Sequence, residues 1–329
     1  MNRVLVLIIS FFIFGCVEKK VSEVSESLGD HSWALVTHSV VPMRAAPGDV
    51  NEMVSQATMG TPIRVLMKQG NWFQVQSPDG YTGYMENTVL HLLTENEIQA
   101  WQSAPDRYIY TAVGGWVYSS NNEASQVVCD VVEGCIFQAK VHDDKFLQIT
   151  LPDGRMGYVQ KNNCELFLSW GNSKLEDLDL EAVVADAKRL MGVPYLWGGA
   201  STKAIDCSGF TQLAFKSQGV LLERDASQQQ QYGVPIDASN LENLHVGDLL
   251  FFGKTQRATH VGIYIGGMRF IHASGMVRIN SLDPTQSDYN EQRHKTLIEV
   301  RRIINETERG LSVKMMKDCE WYVLKPKNL

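Results

Sequence analysis

The sequence predicts a multidomain chain in which two small all-β barrels in tandem precede a domain that mixes helices and strands. Three observations carry this. Residues 33–168 repeat with an offset of 74, and each copy alternates apolar and polar residues in short runs broken by Pro, Asp and Gly, which is the pattern of short strands and tight turns. After residue 179 the apolar residues recur instead at helical spacing, and farther on they gather into strand-like runs. A length of 329 residues, 44% hydrophobic and 20% charged, suits more than one domain with a buried core. The net charge is −7, from 30 Lys+Arg against 37 Asp+Glu. With no long basic run, such a chain is not built for general nucleic-acid binding.

Residues 1–16 read as an export signal. Arg3 supplies the positive start, and Val4 to Phe14 form an apolar run broken only by Ser10. That run is too short for a bilayer, which takes about 20 residues, but it matches a signal peptide. Ile13-Phe14-Gly15-Cys16 resembles a bacterial lipobox, in which Cys16 becomes lipidated, although Phe14 is bulkier than the usual small residue and Ile13 replaces the commoner Leu. Residues 17–30 would then be a polar tether. The resemblance implies export and a lipid anchor in a bacterial membrane; plain secretion and an uncleaved anchor are the alternatives.

Six Cys in an exported chain invite disulfides. Apart from Cys16 and Cys207, the residues Cys129, Cys135, Cys164 and Cys319 either pair, in one of three ways, or fill cores as free thiols. No Cys-x-x-Cys and no His-Glu-x-x-His occurs, so no metal site and no cofactor are expected.

The two copies of the repeat occupy 31–95 and 105–168. Phe73-Gln74-Val75-Gln76-Ser77-Pro78-Asp79-Gly80 lies over Leu147-Gln148-Ile149-Thr150-Leu151-Pro152-Asp153-Gly154, Gly83-Tyr84-Met85 over Gly157-Tyr158-Val159, and Gly60 over Gly134. A copy of about 60 residues suits a small β-barrel. The closing strands resemble the bacterial SH3-like domain, which binds cell-wall peptides or serves as a spacer beside an enzyme. Glu95 to Asp106 connects the copies, and the polar stretch Ser169 to Asp179 leads onward.

Leu180, Val183, Val184, Ala187, Leu190 and Met191 mark a helix that Gly192-Val193-Pro194 stops. A second helix follows Cys207, with Phe210, Leu213, Ala214 and Phe215 on its apolar side and Gly219 at its end. Cys207 therefore opens a helix, where the end amides and macrodipole are expected to favour a thiolate and lower the thiol pKa. A thiolate nucleophile needs a base, and the base an orienting partner. His260 opens one strand-like run and His272 closes another, with Gly266-Gly267 between them. An ordinary two-residue turn there would pair His260 with Ala273 and put His272 on the far face. The two share a face only if the loop is odd-numbered or a bulge intervenes.

Tyr195-Leu196-Trp197-Gly198-Gly199, Asp206-Cys207-Ser208-Gly209-Phe210, Gly247 to Phe252, His260 to Gly266, and Phe270-Ile271-His272-Ala273 together resemble the NlpC-type papain-like cysteine peptidases. The resemblance covers 178–305 and leaves 306–329 as a tail. It implies an α+β papain-like domain, a helical lobe carrying Cys207 against an antiparallel sheet carrying His260 and His272. By the same resemblance Cys207 is the nucleophile, His260 the general base, and His272 its orienting group. The Cys207 backbone N–H and Tyr195 would form the oxyanion hole. Taken singly, a buried Cys is usually inert and a strand His usually structural, and His91 and His294 keep that reading. Five motifs in this order favour chemistry at Cys207, His260 and His272.

NlpC-type enzymes cut cell-wall peptides, commonly at the γ-D-glutamyl bond to a diamino acid. Two SH3-like domains ahead of the core resemble the branch that hydrolyses released murein peptides bearing a free N-terminal L-Ala, with the first SH3-like domain covering one end of the cleft. A free amine in a closed pocket needs a carboxylate or hydroxyl partner. Glu52 and Tyr81 stand in the first copy where the second has Gln126 and Arg155, which fits an amine pocket built by the first copy alone; surface divergence of an old repeat is the plainer account. The branch resemblance adds Asp206, Ser208, Asp225 and Ser227 as substrate ligands, with Trp197 as a cleft wall. The alternatives are an amidase or acyltransferase on the same Cys–His scaffold, and a non-catalytic wall-binding lipoprotein. The expected partners are murein peptides and, through the anchor, a membrane; the diamino acid and the oligomeric state stay open.

Overall fold

The computed structural model describes residues 29–172, 174–238, 240–303 and 313–325. The expected signal and Cys16, the expected lipid acceptor, lie outside the described residues, as does most of the expected tether. No helix among the described residues is long and apolar enough to cross a membrane.

The first repeat folds as β1 (Trp33–Val36), β2 (Val40–Arg44), β3 (Met53–Thr58), β4 (Pro62–Gln69), β5 (Trp72–Gln76), β6 (Thr82–Glu86) and β7 (Leu90–Leu93), paired in the order β3-β2-β6-β5-β4-β1-β7. The alternation sends Val41 and Met43, Ile63 and Val65, Phe73 and Val75 into one core, as a period of two requires. The connector to the second repeat is a helix, α1 (Glu95–Ser103), opened by a capping box in which the Thr94 and Glu97 side chains each bond the other's backbone amide.

The second repeat consists of β8 (Arg107–Tyr110), β9 (Gly114–Tyr118), β10 (Val127–Val132), β11 (Ile136–Val141), β12 (Phe146–Thr150), β13 (Met156–Gln160) and β14 (Cys164–Leu166), in the order β10-β9-β13-β12-β11-β8-β14. That is the first sheet's order advanced by seven strands. The 74-residue offset holds in single hydrogen bonds. The Ser77 amide donates to the Tyr81 carbonyl and Leu151 to Arg155; Ala45 donates to Glu52 and Ser119 to Gln126. Glu52 and Gln126, and Tyr81 and Arg155, therefore occupy equivalent backbone positions.

The third unit begins with α2 (Leu180–Arg189), capped by Asp179. There follow β15 (Ala200–Ser201), β16 (Ala204–Ile205), α3 (Cys207–Lys216), β17 (Val220–Leu221) and α4 (Ala226–Gln229). Next come β18 (Val234–Ile236), β19 (Leu249–Phe252), β20 (His260–Gly266), β21 (Arg269–Ser274), β22 (Met276–Ser281), α5 (Glu291–Thr296), β23 (Leu297–Arg302) and β24 (Lys314–Met315). An antiparallel sheet of order β18-β23-β19-β20-β21-β22 receives the two long helices on one face. Val183, Val184 and Ala187 of α2 and Phe210, Leu213 and Ala214 of α3 share a core there with Val261, Ile263 and Ile271 of the sheet. Helices segregated to one face of an antiparallel sheet make an α+β architecture.

Residues 313–325 pack on the body. Strand β24 pairs with β17, and Met316, Cys319 and Tyr322 complete a core whose other members include Trp33, Ile98, Trp101, Ile109, Phe167 and Trp170. That core joins both repeats. Arg107, buried at its edge, donates to the carbonyls of Tyr322 (2.7 Å), Gln102 (2.8 Å) and Ala104 (3.2 Å). Its guanidinium lies over the Trp101 and Phe167 rings, at 4.5 and 4.8 Å. The five described cysteines are all free thiols. Cys135 and Cys164 fill the core of the second repeat and Cys319 the seam.

Candidate active site

Cys207 is the first residue of α3, and Asp206 is its N-cap, with Oδ1 accepting the Gly209 amide at 2.8 Å. Only 7% of Cys207 is exposed. Burial, and after it the Asp206 carboxylate, push the thiol up to about 11, against the opposing pull of the Val261 and Ser208 amides on the sulfur. The helix-start argument expected a lowered pKa. It is corrected here because desolvation and an anionic N-cap outweigh the end amides. The resting group is a thiol.

The register demand on the two histidines is met by a bulge. Strand β20 pairs Tyr264 with Phe270 but Gly266 with Arg269, so Ile265 is the extra residue. The two-residue turn is consequently Gly267-Met268, one position later than Gly266-Gly267, with φ of 58° and 62°, as the twist-matched hairpin turn requires. Met268 holds this left-handed conformation while its amide donates to the Tyr264 hydroxyl and its carbonyl accepts from the Leu282 amide and Ser281 hydroxyl. Ile263 pairs with Ile271, so one step on Gly262 faces His272, and His260 stands diagonal to His272 on the same face.

His260 Nε2 and His272 Nδ1 are 2.7 Å apart, and His272 Nε2 is 2.9 Å from Asn280 Oδ1. The Asn280 amide nitrogen donates to the Asp288 carbonyl, which turns its oxygen toward His272. His272 must then carry its proton on Nε2 and accept at Nδ1. His260 donates from Nε2, and its Nδ1 keeps the free lone pair. Burial lowers both imidazoles, His260 well below its usual range with Arg293 and His272 adding to the effect, and His272 to about 4. At neutral pH the chain Asn280–His272–His260 is uncharged. A neutral imidazole with a free Nδ1 and a neutral thiol are suited to nucleophilic attack with general-base assistance. Tyr195 stands beside this group: burial raises its hydroxyl to about 12, with Cys207 the next contributor, so it is a proton donor across the neutral range.

A pocket of about 340 Å³ opens onto Cys207 and is lined by Glu52 and Tyr81 of the first repeat together with Trp197, Asp206, Ser208, Asp225, Ser227 and Arg257. All seven residues expected to bind substrate are thus brought to one cavity with Cys207. Glu52 Oε1 accepts the Trp197 indole N–H at 2.6 Å, and Trp197 is 62% exposed, a wall rather than core. The Tyr81 hydroxyl bonds the Asp225 carboxylate; burial raises both pKa values, with each group acting on the other. Ser227 Oγ accepts from Arg257 at 3.4 Å.

Asp206 and Ser208 are already engaged. Arg224, 1% exposed, grips Asp206 with both terminal nitrogens, donates to Ser208 Oγ at 3.0 Å, and reaches Ser55 of β3 through Nε at 3.1 Å. The Asp206 carboxylate also accepts the Gly198 amide. This buried knot ties the Cys207 helix to the first repeat, which further holds Ala200 and Ser201 through Gln56 Oε1. Sequence reasoning missed Arg224, Asn280 and Arg293. Asn280 lies two residues beyond Arg278, the β-partner of His272, so a diagonal rule applied to the third strand would have found it.

Residues 192–301 match the NlpC/P60 family, and residues 43–90 match the bacterial dipeptidyl-peptidase SH3 domain. A γ-D-glutamyl-L-lysine dipeptidyl-peptidase of Bacillus cereus is 28% identical over 236 residues, covering 68% of each chain. Dipeptidyl-peptidase 6 of Lysinibacillus sphaericus is 25% identical over 278 residues, covering 80% of this chain and 97% of its own. The crystal structure of an NlpC/P60 family protein from Bacillus cereus superposes with a TM-score of 0.70 at 23% identity, covering 83% of this chain and 100% of that one, a likeness of fold. The chain carries an NlpC/P60 domain behind an SH3-like all-β region.

Proposed function

We propose that this cysteine peptidase of the NlpC/P60 type hydrolyses the γ-D-glutamyl bond to the diamino acid in murein peptides whose N-terminal L-Ala is free. The observation that carries the reading is the shared pocket. Glu52 and Tyr81, from a different domain, line the cavity that opens on Cys207, which brings a carboxylate and a phenol to the place where a terminal ammonium would bind. In this reading Glu52, Tyr81 and Asp225 hold the ammonium, and Trp197 walls the cleft. Ser227 is a further substrate ligand, while Asp206 and Ser208 shape the pocket floor.

The Cys207 sulfur attacks the γ-carbonyl carbon while His260 Nδ1 takes the thiol proton. The oxyanion receives the Cys207 amide and the Tyr195 hydroxyl, and His260 returns the proton to the departing amine. Water then hydrolyses the thioester by the same exchange in reverse. His272 and Asn280 hold the imidazole in the tautomer that leaves Nδ1 bare. We further propose that the protein acts in the bacterial envelope, exported by residues 1–16 and anchored by lipid on Cys16; the mass of the mature N-terminus tests this, a diacylated Cys16 supporting it and an unmodified one refuting it.

The substrate reading is tested with L-Ala-γ-D-Glu-diamino acid tripeptides, free and N-acetylated. An ammonium–carboxylate contact is worth about 1.5–3 kcal/mol, so Glu52→Gln should cost roughly one to two decades in kcat/KM on the free peptide and hardly affect the blocked one. Gln126→Ala and Arg155→Ala, at the equivalent positions, should do neither. Equal cleavage of free and blocked peptides by the wild type would refute the amine pocket.

A further inference from the structure

Arg293 does not line the pocket that holds Glu52, Tyr81 and Asp225, yet its charge is felt at Cys207, Tyr195, His260 and His272. It sits on α5, whose N-cap Asn290 accepts the Arg293 amide at 3.0 Å. Asn290 also donates to Asn280 Oδ1 at 3.4 Å, the atom that receives the His272 proton. The helix is thereby moored to the end of the histidine chain. The guanidinium carbon lies 5.6 Å over the Phe252 ring, and that ring packs beside His260 with centroids 5.8 Å apart.

Arg293 is partly buried, and among the described residues no carboxylate, carbonyl or hydroxyl engages its guanidinium. The acid nearest in sequence, Glu291, is held by Lys295 at 2.5 Å. Five donors in a rigid fork, kept without a protein acceptor over the ring that packs beside His260, match a carboxylate that arrives with the substrate. The peptide proposed above carries an ammonium at L-Ala, a carboxylate on D-Glu, and a carboxylate on the diamino acid. The acids of the pocket face the first of these charges, and Arg257 lines the same pocket. The third charge belongs to the group that leaves.

We propose that Arg293 binds the free α-carboxylate of the departing diamino acid, so that the enzyme selects peptides that stop at that residue over peptides that continue past it. This rests on the bond assignment made above. In a longer peptide the carboxylate is an amide, and the charge-assisted fork to Arg293 is lost.

The test uses the full chain and L-Ala-γ-D-Glu tripeptides ending in L-Lys or meso-diaminopimelate, each as the free acid and as its α-carboxamide. The wild type should prefer the acid by about tenfold or more in kcat/KM. Arg293→Gln should bring that preference to within about twofold, and Arg293→Lys should keep part of it. Equal turnover of acid and amide by the wild type would overturn the proposal without any variant, so a misfolded substitution leaves the test standing. An Arg293→Gln that slows both peptides alike and shifts the pH profile would also overturn it, and would assign the charge to tuning His260. If neither peptide is cleaved, it is the bond assignment that fails.

Discussion

His260 Nε2 and His272 Nδ1 lie 2.7 Å apart because the hairpin that carries them holds one extra residue, Ile265. The nucleophile–base reading predicts that His260→Ala loses about three decades of turnover, within the range of a removed general base. His272→Ala should lose less, because it removes the group that sets the imidazole's tautomer and angle and not the proton acceptor itself. Initial rates with circular dichroism as a folding control check both. Equal inactivity of the two folded variants would mean that His272 does more than orient.

Cys207 gives a second prediction. With its thiol at about 11 and both imidazoles neutral, the resting enzyme holds no thiolate–imidazolium pair at pH 7. Thiolate absorbance should appear only as the solution becomes strongly alkaline, and iodoacetamide should alkylate Cys207 more slowly than a small free thiol. Cys207→Ala and Cys207→Ser should both abolish turnover with the fold retained. Turnover surviving in Cys207→Ala would end the nucleophile assignment.

Acid should loosen the protein through the same histidines. The folded pKa of His272 is about 4, against about 6.5 for an unfolded imidazole, so below 6.5 the unfolded chain takes up protons that the folded one does not. This contribution is complete above about pH 6.5 and is lost as the pH falls toward 4; His272 supplies at most about 3 kcal/mol of it. Melting temperature against pH should fall less steeply for His272→Gln than for the wild type between those limits. Parallel curves would contradict the neutral, buried assignment.

The knot under Cys207 offers a stability test. Arg224 and Asp206 are buried together, and removing one partner strands the other charge. Arg224→Met should therefore cost about 3–5 kcal/mol in denaturant unfolding, and adding Asp206→Asn should return part of that loss. Additive losses in the double variant would show that the two side chains are not coupled.

The repeat, the helix opened by Cys207 and the paired strands of His260 and His272 were legible because each is a local pattern with a fixed period. Arg224 was not, since its partners Ser55 and Asp206 lie 169 and 18 residues away and only folding makes them neighbours. Asn280 becomes legible only once the diagonal rule is carried to a third strand, and Arg293 sits on a short helix whose placement no neighbouring motif announces. The pKa of Cys207 was misjudged for a related reason. Helix position is visible in a sequence, but the depth of burial that decides between dipole and desolvation is not.

A pocket assembled from two domains is only as well defined as the docking that joins them. Arg107 and Tyr322, remote from the chemistry, help to hold that docking where β24 and its neighbours close the seam between the repeats. Exchanging the first repeat for that of a relative would therefore not transplant specificity by itself. The graft would carry Glu52 and Tyr81 to the right fold at an uncertain distance from Cys207, unless the matching face of residues 313–325 travelled with it.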